Sequence, residues 1–295
     1  MVLTVKRSKK LEVRKYYLNG KFIGDGSLAV IAGPCSLESQ ELGIRVAKFM
    51  KRLCDERNLL YIFKASFDKA NRTSVHAWRG PGLEKGLEQL DEIKHIVGVP
   101  VLTDIHESHQ AAPAGEVVDI LQIPAFLCRQ TDLLVAAAKT GKIINIKKAQ
   151  FLAPEDMIYA AAKCREAGND NIILCERGTI MGYHQLIVDM TGLVTMKNFG
   201  YPVMFDATHS TQKPGELGGA SGGNYKLAFP LARAAAGVGI DAIFAETHPN
   251  PKEALSDGPN MIPLDKMEKF LDQVLAIHNT RKSFNLDDDD KNCGS

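Results

Sequence analysis

Several features that decide the class of a protein are scarce or missing in this sequence of 295 residues. The formal net charge is only +1, so the chain lacks the clustered excess of Lys and Arg that a nucleic-acid-binding surface normally needs. No apolar stretch approaches the roughly 20 residues of a membrane-spanning helix, and the polar first residues lack the apolar segment of a signal peptide. We therefore expect no nucleic acid and no membrane as partners, and a cytoplasmic location.

A disulfide framework is missing too. The six cysteines are scattered rather than densely and regularly spaced, so reduced thiols are expected.

The two ends of the chain carry short runs of charge. The basic run at residues 6–10 indicates a solvated N-terminal arm rather than a binding patch. Residues 287–291, Asp-Asp-Asp-Asp-Lys, are typical of an enterokinase cleavage site and equally of an acidic tail. The predicted organisation is a hairpin extension at residues 1–27, a catalytic barrel at 28–280 and a polar tail at 281–295.

What the sequence does contain is a repeat of short apolar runs, each followed by a longer segment of helical periodicity. Helices are predicted, for example, at residues 38–56, 83–97, 154–167 and 263–278. Strands are predicted at residues 28–32, 60–64, 101–104, 120–123, 143–147, 172–176, 203–206 and 242–246. Eight such units predict an α/β protein with the (β/α)8 TIM-barrel fold.

Two further predictions concern the start of the chain. A doubly wound open sheet is the second possible fold, but its first strand is normally followed by a glycine-rich fingerprint, and Gly33-Pro34-Cys35 is not one. Residues 11–13 and 17–23 surround Asn19-Gly20 and predict a β-hairpin that caps the bottom of the barrel.

Polar residues cluster where the predicted strands end, which is the catalytic face of a barrel. Five cations of this cluster would surround one mouth: Lys64, Lys69, Arg72, Lys147 and Arg177. Such a concentration of positive charge is unfavourable unless anions normally occupy it. The sequence therefore predicts substrates that carry phosphate or carboxylate groups.

A second group at the strand ends has the chemistry of a metal site. One thiolate, one imidazole and two carboxylates suit a divalent zinc, iron, cobalt or manganese ion. The candidate ligands are Cys35, His209, Glu246 and Asp257. Because the four residues are far apart in sequence, only the fold can bring them together.

The strand-end motifs resemble those of the 3-deoxy-D-manno-octulosonate 8-phosphate synthase family, from about residue 29 to about residue 278. They include Gly33-Pro34-Cys35, Lys64-Ala65-Ser66-Phe67-Asp68-Lys69-Ala70-Asn71-Arg72, Thr103-Asp104-Ile105-His106, Gln122-Ile123-Pro124-Ala125-Phe126, Asn145-Ile146-Lys147-Lys148, Cys175-Glu176-Arg177-Gly178, Asp206-Ala207-Thr208-His209 and Glu246-Thr247-His248. So many motifs in one order are a specific signal.

This resemblance implies an enzyme of lipopolysaccharide biosynthesis. The reaction would condense phosphoenolpyruvate with D-arabinose 5-phosphate and water, giving 3-deoxy-D-manno-octulosonate 8-phosphate and phosphate. The resemblance assigns Lys64, Lys69, Gln122, Lys147 and Arg177 to phosphoenolpyruvate. It assigns Ser66, Asn71 and Arg72 to the pentose phosphate, completed by Arg129 from a neighbouring subunit of a homotetramer. The catalytic residues that it implies are Lys69, Asn71, Asp104 and His106.

Members of that family divide into metal-dependent and metal-independent classes, which carry Cys and Asn, respectively, at the position of Cys35. This chain therefore resembles the metal-dependent class, with His209, Glu246 and Asp257 as the other ligands. One departure is the Gly258-Pro259 pair after Asp257, which is more similar to the metal-independent class.

Two other functions stay open at the level of the sequence. The first is 3-deoxy-D-arabino-heptulosonate 7-phosphate synthase, although Lys69-Ala70-Asn71-Arg72 differs from the Lys-Pro-Arg-Thr or Lys-Pro-Arg-Ser of that enzyme. The second is a barrel without catalytic activity that binds a sugar phosphate, because a fold does not prove an activity. Turnover by the purified protein distinguishes these functions.

Overall fold

The computed structural model describes residues 11–72, 74–216 and 222–284 of the chain. The basic run at residues 6–10 and the acidic run at residues 287–291 lie outside the described residues. So does most of the predicted polar tail, of which residues 281–284 are described.

Eight parallel strands form a closed barrel. They are β1 (Ala29–Gly33), β2 (Leu60–Lys64), β3 (Val101–Asp104), β4 (Ile120–Ile123), β5 (Ile143–Lys147), β6 (Ile172–Glu176), β7 (Val203–Asp206) and β8 (Ala242–His248). Each strand pairs with the next, and the barrel closes because β8 also pairs with β1, with Ala242 opposite Ala29. The TIM-barrel prediction is confirmed, and an open sheet is excluded.

One main helix follows each strand. The helices are α1 (Gln40–Asp55), α2 (Leu83–Val97), α3 (Ala111–Val117), α4 (Thr131–Lys139), α5 (Met157–Glu166), α6 (Met190–Lys197), α7 (Ala228–Val238) and α8 (Met267–Lys282). Where predicted bounds differ from these, local chemistry explains the difference. For example, α1 begins at Gln40 because the side chain of Ser39 accepts the Leu42 N–H. Among the described residues, no helix has both the length and the apolarity needed to cross a bilayer.

The strands read as apolar runs because each is buried on both faces. Side chains that point inward, among them Ile31, Ile62 and Phe244, fill the barrel interior as one cluster. Alternate side chains, such as Val30 and Phe63, pack outward against the helices. Because side chains fill the barrel interior, no ligand can bind inside it. A binding site can form only at the end of the barrel, from the loops that follow the strands.

The predicted hairpin closes the opposite end, although its first strand differs from the prediction. Strand Tyr16–Leu18 pairs with Lys21–Ile23, and Asn19 and Gly20 form the turn with φ values of 48° and 82°. Residues 11–13 form no strand, because this tight turn pairs Leu18 with Lys21 and leaves nothing opposite them. Ile23 and Tyr16 join the interior cluster at the amino-terminal ends of the strands, as predicted.

The Tyr16 hydroxyl anchors this cap and gives a test of it. Tyr16 is 7% exposed, and its hydroxyl donates to the Ile172 carbonyl at 2.9 Å and accepts the Ile172 N–H at 2.9 Å. We expect Tyr16→Phe to lower the free energy of unfolding by about 1 to 2 kcal/mol, because it removes these buried partners. Urea unfolding followed by circular dichroism measures the change. Tyr17→Phe is the control, since Tyr17 is 66% exposed; equal losses in both variants would contradict the anchoring role.

Candidate active site

A cavity of about 400 Å³ opens at the carboxyl-terminal ends of the strands. It lies where the loops that follow the strands converge, which is the usual place of an active site in this fold. Its wall contains most of the residues predicted from the sequence, including Lys64, Lys69, Asn71, Arg72, Asp104, His106, Gln122, Lys147, Arg177, His209 and Asp257. Residues more than 190 positions apart in the chain therefore share one cavity.

The ends of β1 and β2 approach each other closely on one side of the cavity. Gly33 permits this approach, because a Cβ atom there would lie 2.0 Å from the Lys64 carbonyl oxygen. The Lys64 ammonium is buried and donates to the Cys35 carbonyl at 3.1 Å, to Ser66 Oγ at 3.0 Å and to Glu246 Oε1 at 3.1 Å. Ser66 is fully buried behind Lys64, and its hydroxyl donates to Asp104.

Asp104, at the end of β3, is a buried anion between cations. Burial alone would raise its pKa, but Lys64 and the hydrogen bond from His106 hold the pKa well below its usual range. His106 Nε2 lies 3.3 Å from Asp104 Oδ2, while His106 Nδ1 is buried without a hydrogen-bond partner. Asp104 therefore stays ionised at neutral pH and orients an imidazole that retains one free nitrogen.

Lys69 is the second buried lysine of the wall, and its ammonium lies 4.0 Å from Glu246 Oε1. Burial alone would lower its pKa, but negative charges outweigh burial and raise the pKa: those of Cys35, whenever its thiol is ionised, of Glu246 and of Asp104. Lys69 therefore remains a cation at the cavity wall.

The far side of the cavity is formed by β5, β6 and β7. The Lys147 ammonium donates to Asp206 Oδ2 at 2.5 Å and lies 4.1 Å from the centre of the Phe244 ring. Burial lowers the pKa of Arg177, whose Nη2 donates to Gln212 Oε1 at 2.5 Å and whose buried Nη1 has no hydrogen-bond partner. An unsatisfied guanidinium nitrogen beside a cavity is suited to an anionic ligand.

The four predicted metal ligands lie close together beside this cavity, and two of them, His209 and Asp257, line it. Ligand atoms of Cys35, Glu246 and Asp257 all lie within 4.8 Å of one another. His209 Nε2 lies 3.5 Å from Glu246 Oε2 and 3.9 Å from Asp257 Oδ2. Cys35, Glu246 and Asp257 thus surround one point, and His209 lies beside it on the side of Glu246 and Asp257. The four residues come from β1, β7 and β8 or the turns that follow them, and from the loop after β8.

Two further observations fit a metal ion at that point. Glu246 Oε2 is buried without a hydrogen-bond partner, and the positive charges of His209, when its ring is doubly protonated, and of Lys64 overcome burial to lower the pKa of Glu246 to about 2. A bound metal ion would take the place of the His209 charge. The Asp206 carboxylate binds His209 Nδ1 at 2.7 Å, which assigns the ring hydrogen to Nδ1 and frees Nε2 as a ligand. A carboxylate, an imidazole and a thiol in this arrangement match a zinc-like or iron-like coordination set.

Cys35 and Asp257 also carry signs of a constrained site. Burial, followed by the charge of Glu246, raises the pKa of the Cys35 thiol above its usual range, so a bound cation would be needed to stabilise the thiolate. Asp257 has a φ of 51°, in the left-handed region that non-glycine residues rarely adopt. The Asp257 carboxylate lies within 4.8 Å of the ligand atoms of Cys35 and Glu246.

The remaining predicted residues lie in different environments. Asn71 and Arg72 are in the loop after β2, where Asn71 is exposed and Arg72 is half-buried. Gln122 is buried and accepts a hydrogen bond from Asn145 Nδ2 at 2.9 Å. Arg129 is exposed and does not line the cavity of its own chain. Its assignment to a site on a neighbouring subunit therefore remains a prediction.

The structure adds supporting residues to which the sequence analysis gave no role. Asp206 orients both Lys147 and His209, and Asn145 orients Gln122. Glu176 Oε1 accepts the N–H groups of Arg177 and Gly178, and so fixes the turn that carries Arg177. These residues belong to the strand-end motifs quoted above, but a motif does not tell which of its polar residues faces the ligand.

Comparison with known proteins places this site in a family. The sequence profile described as the DAHP synthetase I family matches residues 6–282, which is most of the chain. The chain belongs to the DAHP synthetase I family. The match spans the whole barrel and every cavity residue named above.

Several curated proteins are similar to this chain over nearly their full length, and each of the three described here is named 2-dehydro-3-deoxyphosphooctonate aldolase. The protein of Fusobacterium nucleatum is 56% identical over 256 residues, covering 87% of this chain and 92% of the relative. That of Cyanothece sp. is 57% identical, covering 86% and 94%. That of Magnetococcus marinus is 53% identical, covering 86% and 89%.

Proposed function

We propose that this chain is a 3-deoxy-D-manno-octulosonate 8-phosphate synthase, which condenses phosphoenolpyruvate with D-arabinose 5-phosphate and water and releases phosphate. The observation that carries the proposal is the set of buried cations, Lys64, Lys69, Lys147 and Arg177, around one cavity beside the candidate ligand cluster of Cys35, Glu246 and Asp257. This synthase is also called 2-dehydro-3-deoxyphosphooctonate aldolase, so the name shared by the relatives above supports this reaction over that of the heptulosonate synthase. The product would serve lipopolysaccharide biosynthesis in the cytoplasm.

Phosphoenolpyruvate is assigned to the inner part of the cavity. Its phosphate and carboxylate would meet Lys69, Lys147 and Arg177, with Gln122 as a neutral hydrogen-bonding partner. Arg177 Nη1 is buried without a partner, so it is free to bind an anion. Lys64 also lines the cavity, but it donates to three protein acceptors already, so its role is to offset the negative charge of the substrate.

The pentose phosphate is assigned to the outer part of the cavity. Its phosphate would bind Arg72 and Asn71, and Ser66 would hold the turn after β2 that leads to them. Arg129 of a neighbouring subunit in a homotetramer would complete the site. Two anionic ends bound at opposite sides of the cavity fix the reacting carbons in one orientation.

In the proposed reaction, C3 of phosphoenolpyruvate attacks the aldehyde carbon, and the aldehyde oxygen takes a proton. Water adds at C2, and the tetrahedral intermediate then loses phosphate to give the 2-keto group. Asp104 and His106 are placed to hold and move a proton, because the free Nδ1 of His106 is buried beside the cavity. Lys69 and Asn71 line the same cavity and would stabilise the developing charge.

Cys35, His209, Glu246 and Asp257 would hold a divalent metal, with zinc, iron, manganese and cobalt all compatible with the ligands. A metal in this position supplies Lewis-acid polarisation or a fixed template for the aldehyde and its hydroxyl groups. Asp206 would keep His209 in the tautomer that binds metal.

Phosphoenolpyruvate consumption by the purified enzyme tests the proposal. Arabinose 5-phosphate is the substrate, erythrose 4-phosphate the control, and each assay is run before chelation, after chelation and after the metal is restored. We expect turnover that is specific for the pentose, is abolished by chelation and returns with the metal. Turnover with erythrose 4-phosphate but not with arabinose 5-phosphate would favour the heptulosonate synthase. Turnover that survives chelation would overturn the metal requirement. Absence of turnover with both sugars would favour a barrel that only binds sugar phosphates.

A further inference from the structure

One buried hydroxyl lies between the two ends of the proposed site. Ser256 is 2% exposed, and its Oγ accepts a hydrogen bond from Arg72 Nη1 at 2.8 Å. The same oxygen lies 3.2 Å from Cys35 Sγ. Ser256 therefore contacts both the arginine assigned to the sugar phosphate and the cysteine assigned to the metal.

The direction of these hydrogen bonds follows from their chemistry. A guanidinium has donors and no acceptor, so Ser256 can only accept from Arg72. The hydroxyl hydrogen is then free to point at Cys35. When Cys35 is a thiolate, as metal binding requires, Ser256 would donate to its sulfur, and a charge-assisted hydrogen bond of this kind is stronger than a neutral one.

Arg72 also holds the backbone of the loop that carries Asp257. Its Nη2 donates to the Leu255 carbonyl at 3.2 Å, and the Leu255 N–H donates to Glu38 Oε1 at 3.0 Å. Asp257 is two residues after Leu255 and has the left-handed backbone conformation described above. Any ligand that fixes Arg72 therefore also restrains the loop that positions a candidate metal ligand.

We propose that Ser256 is a positioning residue through which the sugar phosphate and the metal increase each other's affinity. The inference rests on the proposed function, because it takes Arg72 as the phosphate-binding group. Arg72 makes two bonds to the 255–256 loop and lines the cavity, so its remaining N–H groups can bind phosphate without breaking those bonds. Phosphate would also neutralise a positive charge near the metal. Both effects favour the metal, and thermodynamic reciprocity requires that the metal equally favours the sugar phosphate.

Cobalt titration of the metal-free, full-length enzyme tests this coupling. The thiolate-to-cobalt charge-transfer band reports coordination by Cys35, and the titration is run with and without arabinose 5-phosphate. In the unchanged enzyme we expect the sugar phosphate to lower the cobalt dissociation constant by about fivefold or more and to perturb the band. In Ser256→Ala we expect the band to form but the sugar phosphate to lower the dissociation constant clearly less than in the unchanged enzyme, because only the Arg72–Leu255 bond and the charge of the phosphate remain to couple the two sites. Any direct contact between sugar hydroxyls and metal would persist in this variant, so the difference isolates the Ser256 path.

Ser256→Thr keeps the hydroxyl and is expected to keep the coupling, which provides a second readout if the alanine variant does not fold. Equal coupling in the unchanged enzyme and in Ser256→Ala would overturn the inference, as would loss of coupling in Ser256→Thr while cobalt still binds. A charge-transfer band missing from the unchanged enzyme would also overturn it, because Cys35 would then not be a ligand. Failure of the proposed function is recognised separately, as absence of turnover by the unchanged enzyme with arabinose 5-phosphate.

Discussion

Replacement of Cys35 by alanine is expected to lower both metal affinity and turnover by at least about 100-fold, since changes to the supporting shell of a metal site alone cost 10- to 100-fold. Cys35 is fully buried among Glu246 and Asp257, and no other thiol belongs to the candidate ligand cluster of the described residues. The loss of a methyl-sized volume is small, so the barrel should still fold. Metal content after dialysis and phosphoenolpyruvate consumption measure the two effects.

Two other variants sharpen that test. Cys164→Ala is the matched control, because Cys164 is a fully buried cysteine on α5 outside the cavity; it should keep both metal and activity. Cys35→Asn places the residue of the metal-independent class at this position, and we expect turnover that resists chelation. Full, chelator-resistant activity in Cys35→Ala would rule out an essential thiolate ligand.

The second large effect is expected for Lys147→Met. This change removes a cation assigned to phosphoenolpyruvate, and the loss of one preorganised charge of this kind typically costs about 100- to 1000-fold in rate. It also leaves the fully buried Asp206 carboxylate without its lysine partner, although His209 still binds it. Breaking a buried ion pair in this way lowers the free energy of unfolding by about 3 kcal/mol. Steady-state kinetics and urea unfolding measure the two losses separately.

A double variant separates the catalytic role of Lys147 from the structural one. Lys147→Met combined with Asp206→Asn removes the uncompensated charge, so stability should recover in part while activity stays low. Lys85→Met on the exposed side of α2 should change neither quantity. Activity of Lys147→Met within about tenfold of the unchanged enzyme would contradict the assignment, because the expected loss is far larger.

The barrel was predictable because its strands obey a local rule. A strand covered on both faces must be apolar throughout, and six of the eight strands have the predicted bounds, from β2 to β7. The exceptions are at the seam: β1 begins at Ala29, and β8 continues to His248, where it pairs with residues 262–263. The first strand of the hairpin was wrongly predicted at residues 11–13. The local sequence pattern does not reveal that the Asn19-Gly20 turn leaves those residues without a partner strand.

The candidate site was predictable only as a set of residue types. Strand-end positions and the resemblance together named Lys64, Asp104 and Arg177, and the structure places all three on the cavity wall. The sequence patterns did not reveal that Lys64 already donates to three protein acceptors. Nor did they reveal that Ser66 is fully buried and does not line the cavity. Such differences depend on side-chain direction and on neighbours from other strands, which no local pattern encodes.

The sequence by itself determined the number and nature of the β/α units, because hydrophobic burial acts through local periodicity. It also determined which charged and metal-binding groups the strand ends would present. Only the tertiary structure decided which of these groups meet. Closure of β8 onto β1 is what brings Cys35 beside Glu246, and the loop after β8 adds Asp257 and Ser256. Contacts between residues more than 200 positions apart arise from the closed ring, since every strand end must then face one common axis.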